Sequence, residues 1–202
     1  LSTGDLLRQA VADGTKSGLA AKAVMEAGGL VSDDIVLAIL QERMAAPDCG
    51  AGVILDGFPR TIPQAEALEG QLAVRGAKVN AAVSLEVDDE AMVERISGRH
   101  TCDGCGEGYH VAFKRPKVEG VCDKCGHKKF RRRADDNPET VRRRLVAYHK
   151  DTAPMIGFYD DRDVLHRVDA MGEITEITKG LRALLRPIVT ETWGINPALE
   201  TT

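Results

Sequence analysis

The chain has 202 residues, 43% of them hydrophobic but only 4% aromatic, and a formal net charge of −4. Such a length can bury roughly 70% of its unfolded surface in one core with a small satellite domain, and aliphatic side chains must fill that core. No apolar run approaches the ~18 residues of a membrane span, no basic-then-apolar leader opens the chain, and the acidic balance gives no global attraction to nucleic acid, so a cytoplasmic protein with neither membrane nor nucleic-acid partner is expected.

The first predicted helix covers residues 4–12 and is opened by Ser2-Thr3-Gly4-Asp5. A hydroxyl, a helix N-terminus and Arg8, one and a half turns on, would converge there on one anion. Helices over 16–27 and 33–45 follow, joined by Gly28-Gly29, with Ser32 as the cap of the second. Gly14-Thr15-Lys16-Ser17 is similar to a phosphate-binding loop only at a glance. It lacks the glycine before its lysine, and it follows a helix where such a loop follows a strand.

Val53-Ile54-Leu55 then runs into Asp56-Gly57-Phe58-Pro59-Arg60-Thr61. An aliphatic run bounded by glycines suits a parallel strand over 53–56, covered on both faces, and ligands of open α/β sheets bind outside the carboxyl ends of such strands. Pro59 fixes its own φ and pushes Phe58 toward an extended backbone, so the planar fork of Arg60 is aimed at a pair of phosphate oxygens. A helix over 61–74, a strand over 82–87 and a helix over 89–98 come next. A helix over 137–149, a strand over 164–168 and a helix over 173–186 complete an alternation that argues a doubly wound parallel sheet. Residues 190–202, with Trp193 and Pro197, show little periodicity and have no assigned role.

Cys102, Cys105, Cys122 and Cys125 interrupt that alternation as two CxxC pairs with 16 residues between them. This spacing matches a structural zinc site of two knuckles, in which four thiolates close a tetrahedron and leave no open position. Two disulfides or a redox CxxC pair are the other readings. The expected cytosolic setting argues against the first, and the lack of a thioredoxin-like context against the second. His127, beside Cys125, is a reserve ligand; His100, His110, His149 and His166 read as surface or packing residues, and Cys49 as an ordinary free thiol. Arg142 and Arg143 read as a solvated helix face.

Taken together, STGDLLR at 2–8, LDGFPRT at 55–61 with Gln64, and GTKSGLAAKAVMEAGGLVSDDIVLAILQERM at 14–44 resemble the adenylate kinase family of nucleoside monophosphate kinases. ERISGRH at 94–100, RRADDNPETVRRRLVAYH at 132–149 and RVD at 167–169 continue the resemblance in the family's order. It implies an α/β fold with a doubly wound parallel sheet of the P-loop nucleoside monophosphate kinase type. In that fold a core of 1–13, 47–99 and 135–189 carries a helical AMP-binding domain at 14–46 and a zinc-binding lid at 100–134, both mobile. The implied reaction is phosphoryl transfer from ATP to AMP, giving two ADP, with Mg²⁺ accompanying ATP and Zn²⁺ structural. Thr3, Arg8, Gly29, Leu30, Val31, Gly57, Phe58, Pro59, Arg60 and Gln64 would then surround AMP, joined by Arg133 and Arg144 at its phosphate. Arg95, Arg99, Gly108, Tyr109 and Gly172 would meet ATP. Arg60, Arg99, Arg133 and Arg144 would be the catalytic arginines, Asp135 and Asp136 would orient them, and Asp56 would contact Mg²⁺ through water.

One departure from the family pattern stands out: residues 1–202 contain no GxxxxGK[ST] stretch, so as written they are expected to lack ATP-dependent turnover. Two alternatives to the AMP kinase reading remain at this level. A zinc-ribbon nucleic-acid binder would use Lys128, Lys129 and Arg131 to Arg133, and a kinase for another nucleoside monophosphate would share most of the motifs.

Overall fold

Helix α1 (Thr3–Ala12) starts where the side chain of Ser2 accepts the amide of Asp5 at 3.4 Å, the capping geometry that Ser-Thr-Gly-Asp announces. The structure, a computed structural model, describes residues 1–193. It divides into two units, one of Leu1–Lys22, Val31–Val87 and the chain from Tyr148 on, the other of Ala23–Leu30 and Asp88–Ala147.

In the first unit α1 packs on α3 (Asp33–Met44), α3 on α4 (Ile62–Val74), and α4 on α7 (Pro154–Asp160). The strands β1 (Ala82–Glu86) and β5 (Leu165–Asp169) pair in parallel with Ala82 opposite Leu165, and α7 and α8 (Ile174–Trp193) lie against β5. Ala65, Met155 and Tyr159 form a buried cluster here, flanked by Val79, Phe158 and Val164. Burial raises the Tyr159 phenol to about 12. Helix α2 (Lys16–Glu26) begins at Thr15, whose hydroxyl donates to the Ala10 carbonyl and accepts the Gly18 amide at 3.0 Å. The Gly-Thr-Lys-Ser stretch is thus a helix junction, as its place after α1 predicts.

Three expectations need correction. Residues 53–56 do not form a strand of the sheet; they run alongside Leu1–Ser2, and the only ladder element is a parallel bridge between Ser2 and Asp56. The Asp56 amide donates to the Leu1 carbonyl at 2.8 Å and the Thr3 amide to the Asp56 carbonyl at 3.2 Å. Ile54 is 75% exposed rather than covered on both faces. Ser32 occupies the N-cap position of α3, but its side chain makes no capping bond. The last helix passes through Pro187 instead of stopping at 186, a proline-interrupted helix of the kind that sequence rules treat as an exception. Helix α7 is absent from the predicted set because seven residues behind a proline give too little periodicity to read. Of the expected tail, residues 194–202 lie outside the described residues.

The second unit packs α5 (Asp89–Ser97) against α6 (Pro138–Ala147). Asp88 caps the first through the Ala91 amide at 2.8 Å, and Asn137 caps the second through Thr140 at 2.9 Å. The cysteine segment folds as a small antiparallel sheet of β2 (Arg99–Cys102) between β3 (Gly108–His110) and β4 (Phe130–Arg131). His110 joins this sheet to α5. Its Nδ1 accepts the amides of Ala112 and Phe113 at 3.0 and 3.1 Å, so Nε2 carries the proton and faces the Glu94 carbonyl at 3.1 Å. Among the described residues no helix is long and apolar enough to cross a membrane.

Candidate functional site

The turn after Asp56 gathers the polar groups of the first unit. Gly57 has φ +69°, a backbone region where side chains are strained, and a Cβ on it would lie 3.0 Å from an Arg60 guanidinium nitrogen. Its carbonyl accepts from the Thr3 hydroxyl at 3.0 Å and from Arg60 Nε at 2.8 Å, which holds the arginine against the strand end. The Phe58–Pro59 peptide is cis. The Thr61 hydroxyl accepts the Gln64 amide at 3.3 Å and caps α4, and Gln64 Oε1 accepts the Arg60 amide at 2.8 Å.

The buried carboxamide of Gln64 is completed by Asp33, which accepts from Gln64 Nε2 at 2.6 Å and from Thr61 at 3.3 Å. Sequence reasoning missed Asp33. Its place in the first turn of α3 is sufficiently explained by the helix dipole, and nothing local signals a partner 31 residues away. Arg8 pairs with Asp5 one turn before it on α1. Val31 and Phe58 are buried, Pro59 is half-buried, and Asp56 and Gly172 are exposed.

The arginines of the second unit are held by the paired aspartates. Arg99 donates from Nε and a terminal nitrogen to the two oxygens of Asp136 at 2.6 and 2.7 Å, the fork geometry that suits guanidinium to carboxylate. Asp136's side chain is 1% exposed and Arg99's 34%, so the carboxylate is buried while the cation keeps a face to solvent. Arg144 pairs with Asp135 at 3.2 Å, and its stem touches Gly28 in the turn that carries Gly29 and Leu30. Arg95 and Arg133 are both half-buried. Arg142 and Arg143 pair with Glu90 and Glu139 on the surface, as a solvated face does.

Four sulfurs meet beside the β3–β2–β4 sheet. Cys102 Sγ lies 3.6 Å from Cys125 Sγ, Cys105 Sγ lies 3.6 Å from Cys122 Sγ, and all four sit within 4.8 Å of one another. A regular tetrahedron with Zn–S bonds of ~2.3 Å has S···S edges of ~3.8 Å, so the donor set fits a metal ion of that size. The distances are far beyond the ~2.05 Å of a disulfide, and all five cysteines are free. A hydrogen bond from the Tyr109 hydroxyl holds the Cys122 thiol down to about 6 and pushes the Tyr109 phenol up to about 12. Glu107 and Gly108 sit at the mouth of the first knuckle, with Glu107 paired to Lys114 at 2.6 Å. That ammonium holds the Glu107 carboxyl below its ordinary range.

Residues 1–164 match the family model described as adenylate kinase. The adenylate kinase of Rhizobium rhizogenes is 56% identical over 92% of this chain and 86% of its own length. Those of Allorhizobium ampelinum and Novosphingobium aromaticivorans are 55% and 51% identical over the same shares. With the arginine–aspartate pairs, the capped Asp-Gly-Phe-Pro-Arg turn and the four-sulfur cluster in place, these matches establish that the chain belongs to the adenylate kinase family.

Proposed function

We propose that the gene product carrying residues 1–202 performs reversible phosphoryl transfer from ATP to AMP, giving two ADP, in the cytoplasm and as a monomer. The observation that carries the reading is the family match over residues 1–164, a span that includes every arginine invoked below. An AMP phosphate oxygen is already anionic near neutral pH, so attack on the γ-phosphorus needs no general base. Catalysis then reduces to alignment and to neutralising the charge spread over the transferred group.

Arg8 and Arg60 take the AMP phosphate; the hold of Gly57 and Gln64 on Arg60 favours a fixed guanidinium over a searching one. Thr3, Gln64 and the chain at Gly29, Leu30 and Val31 surround the adenine, with Gly57, Phe58 and Pro59 beneath it. Arg95, Arg99, Gly108 and Gly172 take ATP, and Tyr109 contributes through its backbone, since its side chain is buried against Cys122. Arg99, Arg133 and Arg144 stabilise the phosphoryl group in flight, with Asp136 and Asp135 fixing the planes of Arg99 and Arg144. Mg²⁺ bound with ATP would supply further charge neutralisation, with Asp56 the residue that would hold it through water. Residues 100–134 form a zinc lid on Cys102, Cys105, Cys122 and Cys125, residues 14–46 the AMP-binding domain, and 1–13, 47–99 and 135–189 the core.

The test is ADP formation from ATP and AMP by the gene product that carries residues 1–202, with Arg60→Ala and Arg144→Ala beside it. Each substitution should lower turnover by roughly 10³-fold or more, the scale on which a phosphoryl-clamping arginine acts. Losses under tenfold in folded protein would show that these arginines are misassigned.

A further inference from the structure

Among the described residues, the Tyr109 side chain reaches the four-cysteine cluster. The Tyr109 hydroxyl donates to Cys122 Sγ at 3.4 Å and accepts the Asp123 amide at 2.8 Å, so a single oxygen ties together the sulfur and the backbone of the second knuckle. Tyr109 is 3% exposed. Its ring stacks on His100 at 5.9 Å and meets Phe130 edge-on at 5.5 Å, which fixes where the hydroxyl can point. The Lys114 ammonium lies 5.6 Å from the centre of the ring, where a cation makes the phenol a better donor. A hydroxyl in so enclosed a place must be bonded or cost stability, and a packing role alone would be served by phenylalanine.

We infer that Tyr109 is a positioning residue of the metal centre, holding Cys122 in its coordinating orientation and dispersing charge from its sulfur; this rests on the reading of the four cysteines as a metal site. Four thiolates around a divalent cation leave a net charge of about −2 in a half-buried cluster in which Cys102 and Cys122 are enclosed, and a neutral donor disperses it without bringing in a counter-ion that must itself be desolvated. Partners of this kind set ligand orientation and metal affinity although they touch no metal.

The experiment measures zinc affinity by competition with a chromophoric chelator, and the thiolate-to-metal charge-transfer band after cobalt substitution, in the whole chain. Tyr109→Phe should weaken zinc binding roughly 10–100-fold and move the band to lower energy, because the sulfur lone pair loses a donor. Phe130→Leu, which disturbs the same ring cluster without removing a hydroxyl, should lower the lid's melting temperature and leave the band in place. Replacing the tyrosines by 3-fluorotyrosine keeps the shape, strengthens the donor and should move the band to higher energy, a readout that survives if Tyr109→Phe fails to fold. The inference is overturned if Tyr109→Phe binds zinc within about threefold of the unmodified chain with its band unmoved, or if 3-fluorotyrosine leaves the band where it was. An unmodified chain that takes up neither cobalt nor zinc overturns the metal site itself, and the inference with it.

Discussion

Arg99 stands where the chain enters the lid and Asp136 where it leaves, so their two-bond pair closes the root of a 37-residue excursion. Asp136→Asn tests that closure with little change of shape. One oxygen can still accept, while the new amide group faces a guanidinium that has only donors. The pair consists of two charge-assisted bonds, each worth about 1.5–3 kcal/mol when removed from a buried partner. Arg99 is a third exposed and can be rehydrated, and one acceptor remains, so the loss should be near the low end, about 2 kcal/mol. With a urea dependence of about 2 kcal/mol per molar, the unfolding midpoint of the second unit should fall by about 1 M. Asp135→Asn removes a single 3.2 Å contact between more accessible groups and should cost under about 1 kcal/mol. A double-mutant cycle with Arg99→Gln isolates the pair. An Asp136→Asn midpoint within about 0.2 M of the unmodified protein, or a coupling no larger than that of Arg144 with Asp135, would refute the reasoning.

Further tests bear on other elements. A Cβ on Gly98 would fall 2.1 Å from His110 Nε2, so Gly98→Ala must expel the imidazole from its three backbone partners; a loss of about 2 kcal/mol is expected in chemical denaturation, and a neutral result would mean that His110 is not the latch between α5 and the lid. Metal analysis of protein prepared without chelator should find one zinc per chain, and chelation should melt the lid sheet while the β1–β5 sheet survives in hydrogen exchange; zinc-free protein with a protected lid would contradict this. Because the folded carboxyl of Glu107 lies below its unfolded value, its stabilisation is present above about pH 4.5 and lost as pH falls through the folded value. Lid stability measured from pH 7 down to pH 3 should therefore fall less steeply in Glu107→Gln, and parallel profiles would assign the pH dependence elsewhere.

What could be read in advance follows the range of the interactions. Helix α1 is announced by Ser2, because a cap acts over three residues, and Thr61, Asp88 and Asn137 act over the same short range at α4, α5 and α6. The four-sulfur cluster was legible because each CxxC is a local device with its own turn. The run at 53–56 lies alongside Leu1 and Ser2, a pairing over more than 50 positions that no local signal announces. The strands of the lid, two to four residues each, are too short to show a period, and their pairing follows from the cysteines they flank. Asp33 beneath Gln64, Tyr109 on Cys122 and His110 on Glu94 join residues 31, 13 and 16 positions apart. Each residue has an adequate local explanation, as helix-start acid, strand aromatic or packing imidazole, and only the fold reveals the second role.

A coupled assay of ADP production from ATP, AMP and Mg²⁺ by the gene product that contains these residues, compared with its Arg60→Ala variant and with UMP or GMP replacing AMP, tests the AMP kinase assignment most directly. The expected result is turnover that depends on AMP, falls roughly 10³-fold or more without Arg60 and is weak with the other monophosphates. An equal rate with UMP or GMP, or an Arg60→Ala rate within tenfold of the unmodified protein, would contradict it.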